Sequence, residues 1–147
     1  MNTAAAAAPA APQLELCVPA SAEGVAQGVH DCEQFLQQHG VLPQARMRLS
    51  LVLEEAVMNL AMHGHPAPGH QHAQVTLRLL PDALELALRD DGLPFDPQTA
   101  PLPARPSTLD EARPGGLGVA LMRRFSRAMH YERVDGQNCL TMRLDRV

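Results

Sequence analysis

From Gln74 to Leu80, and again from Ala83 to Asp90, apolar and polar residues alternate, and only Pro81-Asp82 separates the two runs. Val75, Leu77 and Leu79 share one parity of the first run; Leu84, Leu86 and Leu88 share one parity of the second. A period of two puts all six side chains on one face of a strand pair. A short break holding Pro and Asp is a turn. The chain must therefore build a hairpin that is apolar on one side and needs cover on that side only. Tyr131 to Val134 and Cys139 to Leu144 repeat the pattern about Asp135-Gly136, a preferred hairpin turn. Leu14 to Pro19 also alternates and reads as an edge strand.

The cover comes from three segments with helical spacing. Ser21 is placed to cap a helix running to about His39, with Val25, Val29, Cys32 and Leu36 on its apolar face and Gly40 ending it. Pro43 suits the first turn of a second helix, which reaches His63 and stops at Gly64. A third is predicted from Gly118 to Met129. Phe95 to Pro114 holds five prolines and almost no apolar periodicity, and a loop of that length in a compact domain reads as a lid. The element order predicts an α/β (α+β) two-layer sandwich. Its mixed, largely antiparallel sheet is covered on one face by three helices. A length of 147 residues allows one such domain, taken as 13–147 after an Ala/Pro-rich tail, 1–12. Aromatic residues make up only 3%, so the core falls to Leu, Val, Ala and Met.

A net charge of −4 argues against a nucleic-acid partner, which would favour a basic face. No apolar run is long enough for a membrane span, and the tail lacks the features of a secretory signal. Cys17, Cys32 and Cys139 have no metal-ligand or redox spacing and read as reduced, buried thiols. The expected location is cytoplasmic.

Three segments carry polar groups that a core does not need. Glu55, Asn59 and His63 recur every four residues, forming one stripe on an otherwise apolar helix. An amide oxygen suits a divalent cation, and a carboxylate beside it suits a proton; the alternative is an ordinary solvated face. Asp90 has the parity of Leu84, Leu86 and Leu88, so it faces the covered side, where a base amino group could donate to it. Gly92 next to it lets backbone approach a ligand. The alternative is an Asp that merely caps a turn. Gly115, Gly116 and Gly118 open the third helix, where backbone N–H groups favour phosphate, although most such turns are only turns. His63, His65, His70 and His72 lack the fixed geometry and company of a zinc site. Arg123, Arg124 and Arg127 would meet an acidic partner or lie on a solvated helix face.

Leu53-Glu-Glu-Ala-Val-Met-Asn59, Asp90-Asp-Gly-Leu-Pro-Phe-Asp-Pro97 and Gly115-Gly-Leu-Gly118 resemble the N, G1 and G2 boxes of the Bergerat-type ATP-binding superfamily. That superfamily includes type II topoisomerases, a heat-shock chaperone, histidine kinases and a mismatch-repair protein. The closer resemblance is to the bacterial anti-sigma factor serine-protein kinases, and it runs from about Leu14 to Leu144. It implies a Bergerat ATP-binding fold, ATP and Mg²⁺, and phosphorylation of a Ser or Thr on a STAS-like anti-anti-sigma partner. A sigma factor as second partner and a homodimer are also within what it implies. By position, Glu55 matches the general base and Asn59 the Mg²⁺ ligand. His63 and Gly64 match the end of the N box. Asp90 matches the adenine-reading acid, Gly92 the G1 glycine, and Gly115, Gly116 and Gly118 the phosphate-side glycines. Pro94 departs from a frequent second G1 glycine, Met58 from a small polar residue, and His65 from an aromatic. A nucleotide-dependent switch module without kinase activity stays open as the alternative. The ATP-binding half of a histidine kinase would need a phospho-accepting His on a dimerising hairpin, and the chain has no room for one before Pro43.

Overall fold

The computed structural model describes residues 10–63, 71–100 and 118–147. Five strands form one sheet: β1 (Gln13–Pro19), β2 (His72–Leu79), β3 (Ala83–Asp90), β4 (Ser126–Val134) and β5 (Gln137–Asp145). They lie in the order β1-β2-β3-β5-β4. Every pairing is antiparallel, so the sheet is not mixed as expected. β1 and β2, joined through α1 and α2, pair directly, whereas α3 carries the chain from β3 across to β4, which runs parallel to β3; β5 returns between the two, so no parallel pair forms. β1 is an edge strand, as its sequence implied.

Three helices among the described residues cover one face: α1 (Ala22–Gln38), α2 (Pro43–His63) and α3 (Gly118–Phe125). Ser21 caps α1 with extended backbone, its Oγ accepting the Gly24 N–H at 3.0 Å. At the other end Gly40 is left-handed at φ 73°, and Val41 N–H returns to Leu36 O at 3.0 Å. That closes a Schellman turn, a conformation glycine adopts without a steric penalty. α1 lies close on β1 because Gly24 and Gly28 face it. A Cβ at Gly24 would collide with the Pro19 carbonyl, and one at Gly28 would press on Val18.

The core is the interface between helices and sheet. Leu49, Val52, Leu53 and Val57 of α2 are fully buried over Leu77, Leu84, Leu86, Met142 and Leu144. The opposite face of the sheet is polar. There Glu85 is only 8% exposed because Arg78 and Arg143, its register partners on β2 and β5, hold it at 3.1 and 3.0 Å.

Two expectations shift. The third helix ends at Phe125, not Met129, and β4 starts at Ser126. Met122, Phe125 and Met129 fit a helical period, yet residues 126–134 have a full ladder available on β5. Arg127 ties the start of that strand to Asp82 at 2.8 Å and Asp145 at 3.4 Å. Of the cysteines only Cys32 is buried, which pushes its thiol up to about 12; Cys17 is exposed. Among the described residues no helix is long and apolar enough to cross a membrane.

Candidate functional site

α2 is wide in its apolar coverage, and its polar stripe runs under the edge of α3. Asn59 is 5% exposed, and its Nδ2 is buried with no hydrogen-bond partner. A buried donor left unpaired costs about 1–3 kcal/mol, a cost that a bound partner would remove. Rotation about the Cβ–Cγ bond exchanges the two ends of the amide. An amide so placed has the chemistry to meet a cation through oxygen or a phosphate through nitrogen.

Asn59 lines an open cleft, and so does Asp90 from β3. Leu60, Leu88, Met122 and Leu140 give the cleft apolar walls. A slot with apolar sides and a few convergent polar groups suits a flat, mostly apolar ring. Asp90 faces the covered side of the sheet, as its parity required. Its Oδ1 accepts the Gly92 N–H at 2.9 Å and Asn138 Nδ2 at 2.9 Å. Both donors use one oxygen, and no described protein donor engages the other.

Glu55 lies one turn before Asn59 and packs against the first residue of α3. A Cβ at Gly118 would collide with its Oε2, so this glycine makes room for the carboxylate. Burial pushes the Glu55 carboxyl above the usual range, and the neighbouring Glu54 charge adds to the shift. A carboxylate that holds its proton more tightly is a better base for a hydroxyl.

Of the residues the sequence singled out, Asn59 and Asp90 line the cleft, Gly92 donates to Asp90, and Glu55 packs against Gly118 one turn before Asn59. Gly64, Gly115, Gly116, the side chain of His63 and the predicted lid beyond Ala100 lie outside the described residues. Among the described residues no cluster of three or more His, Cys, Asp or Glu side chains could hold a metal ion. The basic cluster is largely committed elsewhere. Arg123 donates to the Pro97 and Ala100 carbonyls at 2.7 and 2.6 Å, and Arg127 holds Asp82.

The histidine kinase-like ATPase domain family matches residues 18–144. The chain belongs to that family. Within it, the chain is 41% identical over 104 residues to the serine/threonine-protein kinase BtrW of Bordetella bronchiseptica, covering 67% of this chain and 70% of BtrW. The crystal structure of the SiaB–SiaC complex from Pseudomonas aeruginosa superposes with a TM-score of 0.57 over 89% of this chain and 88% of that one, at 18% identity. That likeness establishes the shared α+β fold. Membership in an ATPase-domain family implies that the chain binds ATP.

Sequence reasoning missed Asn138, Tyr131 and Arg133. Asn138 sits opposite Asp90 in register, and Arg133 sits opposite Asn138 on the far side. A signal existed: Asn138 continues the apolar parity of Leu140, Met142 and Leu144, as Asp90 continues that of Leu84, Leu86 and Leu88. The predicted strand, begun at Cys139, stopped one residue short of it.

Proposed function

We propose that this chain is an ATP·Mg²⁺-dependent protein serine/threonine kinase, acting on a Ser or Thr of a small STAS-like regulatory partner, and that residues 13–147 form its one catalytic domain. The observation that carries this is the convergence of Asn59 and Asp90 on one cleft, with Glu55 one turn away against α3. The 41% identity to a protein named as a serine/threonine-protein kinase supports the choice of reaction. A partner-switching role with a sigma factor as the second partner belongs to the same proposal, and rests on the resemblance of the three motifs to those of the anti-sigma factor kinases.

In this reading Asp90 accepts the adenine amino group through its unengaged oxygen, where guanine would present a carbonyl. The apolar walls clamp the ring. Asn59 would hold Mg²⁺: its buried amide, turned to present oxygen, would fill one position of a coordination shell whose others belong to phosphates and water. When bound, the ion neutralises phosphate charge during transfer. The N-terminus of α3 faces the phosphates with its N–H groups. Glu55 orients the partner's hydroxyl and takes its proton.

The test is single-turnover transfer from labelled ATP to a purified STAS-domain partner, beside nucleotide titrations by fluorescence. Glu55→Gln should bind ATP as the parent does and transfer phosphate about 10²–10⁴-fold more slowly. Transfer at the parent rate would make Glu55 structural. A parent that binds ATP and partner but never transfers phosphate would instead be a nucleotide-dependent switch module.

A further inference from the structure

Three side chains stand in one row across the covered face of the sheet: Asp90 on β3, Asn138 on β5 and Arg133 on β4. Tyr131 stands one step along β4, on the same face. Asn138 is the centre of this row and only 6% exposed. Its Oδ1 accepts from the Tyr131 hydroxyl and from Arg133 Nη1, the latter at 3.0 Å. Its Nδ2 donates to Asp90 Oδ1 and to the Leu93 carbonyl, both at 2.9 Å. Arg133 Nη1 also donates to the Gly92 carbonyl at 3.0 Å.

The orientation of this amide is forced by chemistry. Arg133 has donors only, so the end of the amide facing it must be oxygen. An ionised Asp90 and a backbone carbonyl have acceptors only, so the end facing them must be nitrogen. Reversing the amide would set oxygen against two acceptors and an NH₂ against a guanidinium. All four hydrogen-bonding positions of the side chain are used, and none faces the cleft for a ligand.

We propose that Asn138 is a positioning residue that sets nucleobase selectivity through Asp90, held in its one orientation by Tyr131 and Arg133. This rests on the reading of Asp90 as the acceptor of the adenine amino group. The Asn138 amide and the Gly92 N–H both occupy Oδ1, which fixes the carboxylate plane and leaves Oδ2 as the acceptor presented to the base. Without the amide, the carboxylate is free to turn and to take water on either oxygen, and the geometric distinction between an amino group and a carbonyl weakens. The same side chain, with Arg133, tethers the 91–93 turn to the β4–β5 hairpin through the Gly92 and Leu93 carbonyls.

The experiment compares ATP and GTP affinities of the parent, Asp90→Asn, Asn138→Ala, and the double variant Tyr131→Phe/Arg133→Met. Thermal melts and far-UV spectra are recorded for each. The parent should prefer ATP, and Asp90→Asn should lose most of that preference. Asn138→Ala should weaken ATP about ten- to hundredfold, the weight of a hydrogen bond to a charged group, with GTP affinity changed far less. The ATP/GTP ratio is the readout that a purely structural role would leave in place. The double variant keeps Asn138 but frees its amide, and should lower the ratio in the same direction by a smaller factor. It also decides the matter if Asn138→Ala does not fold. An unchanged ratio in folded Asn138→Ala, or in the double variant if the alanine protein is unfolded, overturns the proposal while leaving Asp90 as the base reader. A parent with equal affinity for both nucleotides overturns the adenine reading and this proposal together.

Discussion

Glu55 shows how a single carboxylate can be set against the stability of its own fold. Burial beside α3 raises its folded pKa above the ordinary glutamate value of 4.5. A raised folded pKa means the native state holds the proton more tightly than the unfolded chain does. The stabilisation from the protonated form is complete below pH about 4.5 and is lost as pH rises through the folded value. At neutral pH the ionised carboxylate therefore works against folding. Glu55→Gln should melt at a higher temperature than the parent at pH 7.5, and the gap should close by about pH 4. Scanning calorimetry at the two pH values checks this; a gap that is absent, or equal at both, would mean the carboxylate is not desolvated. Gaining stability while losing transfer is the pattern expected of a functional group held where the fold alone would not place it. Glu55 and Asn59 were legible as a stripe because helical spacing is local. Asp90 was legible because strand parity is local too. Asn138, Tyr131 and Arg133 become a site only through register between strands separated by 48 residues at Asp90 and Asn138, and no local periodicity carries register.

At the scale of elements, the strands and the first two helices were readable because their periods are unambiguous and their ends carry chemical punctuation. Ser21, Gly40, Pro43 and Asp135-Gly136 all do what their residue types favour: Asp135 and Gly136 take φ of 51° and 75°, as a two-residue hairpin turn needs. The boundary between α3 and β4 was not readable. Its apolar residues satisfy both periods for several positions, and the deciding factors, a ladder on β5 and the Arg127 ion pairs, are tertiary. The all-antiparallel pairing likewise depends on β5 inserting between β3 and β4, which run parallel. The seating of α1 on β1 gives a sharper test. A methyl at Gly24 meets a backbone carbonyl that cannot yield without moving β1, whereas a methyl at Gly28 meets the tip of Val18, which can. Glycine to alanine in a helix interior gains about 1 kcal/mol from propensity, and overpacking costs about 1–3 kcal/mol. Gly24→Ala should therefore be net destabilising and Gly28→Ala close to neutral, as read by urea midpoints at constant slope. Equal midpoints for the two variants would mean α1 can slide on β1 without cost.

For the whole molecule, the cleft is where separate parts of the fold converge. α2 contributes Asn59 and Leu60, β3 contributes Leu88 and Asp90, α3 contributes Met122, and the β4–β5 hairpin contributes Tyr131, Asn138 and Leu140. The helices rest on the sheet mainly through Leu and Val side chains, so a ligand gripped by both layers should raise the stability of the whole. At a free concentration 100 times its dissociation constant, a ligand of the native state adds about 2.7 kcal/mol. For a domain of this size that is a rise in melting temperature of roughly 10 °C. Asn59→Leu separates the contribution of the ion from that of the base. Removing a buried amide with an unpartnered donor, in favour of an apolar side chain of similar shape, should leave the nucleotide-free melting temperature at or above the parent's. With ATP and Mg²⁺ the variant should rise only as far as the parent does with ATP and a chelator, because the base contacts remain and the ion's ligand is gone. If Asn59→Leu instead melts several degrees lower without nucleotide and keeps the full Mg²⁺-dependent rise, Asn59 is a packing residue. The ion would then have to be held from elsewhere in the chain.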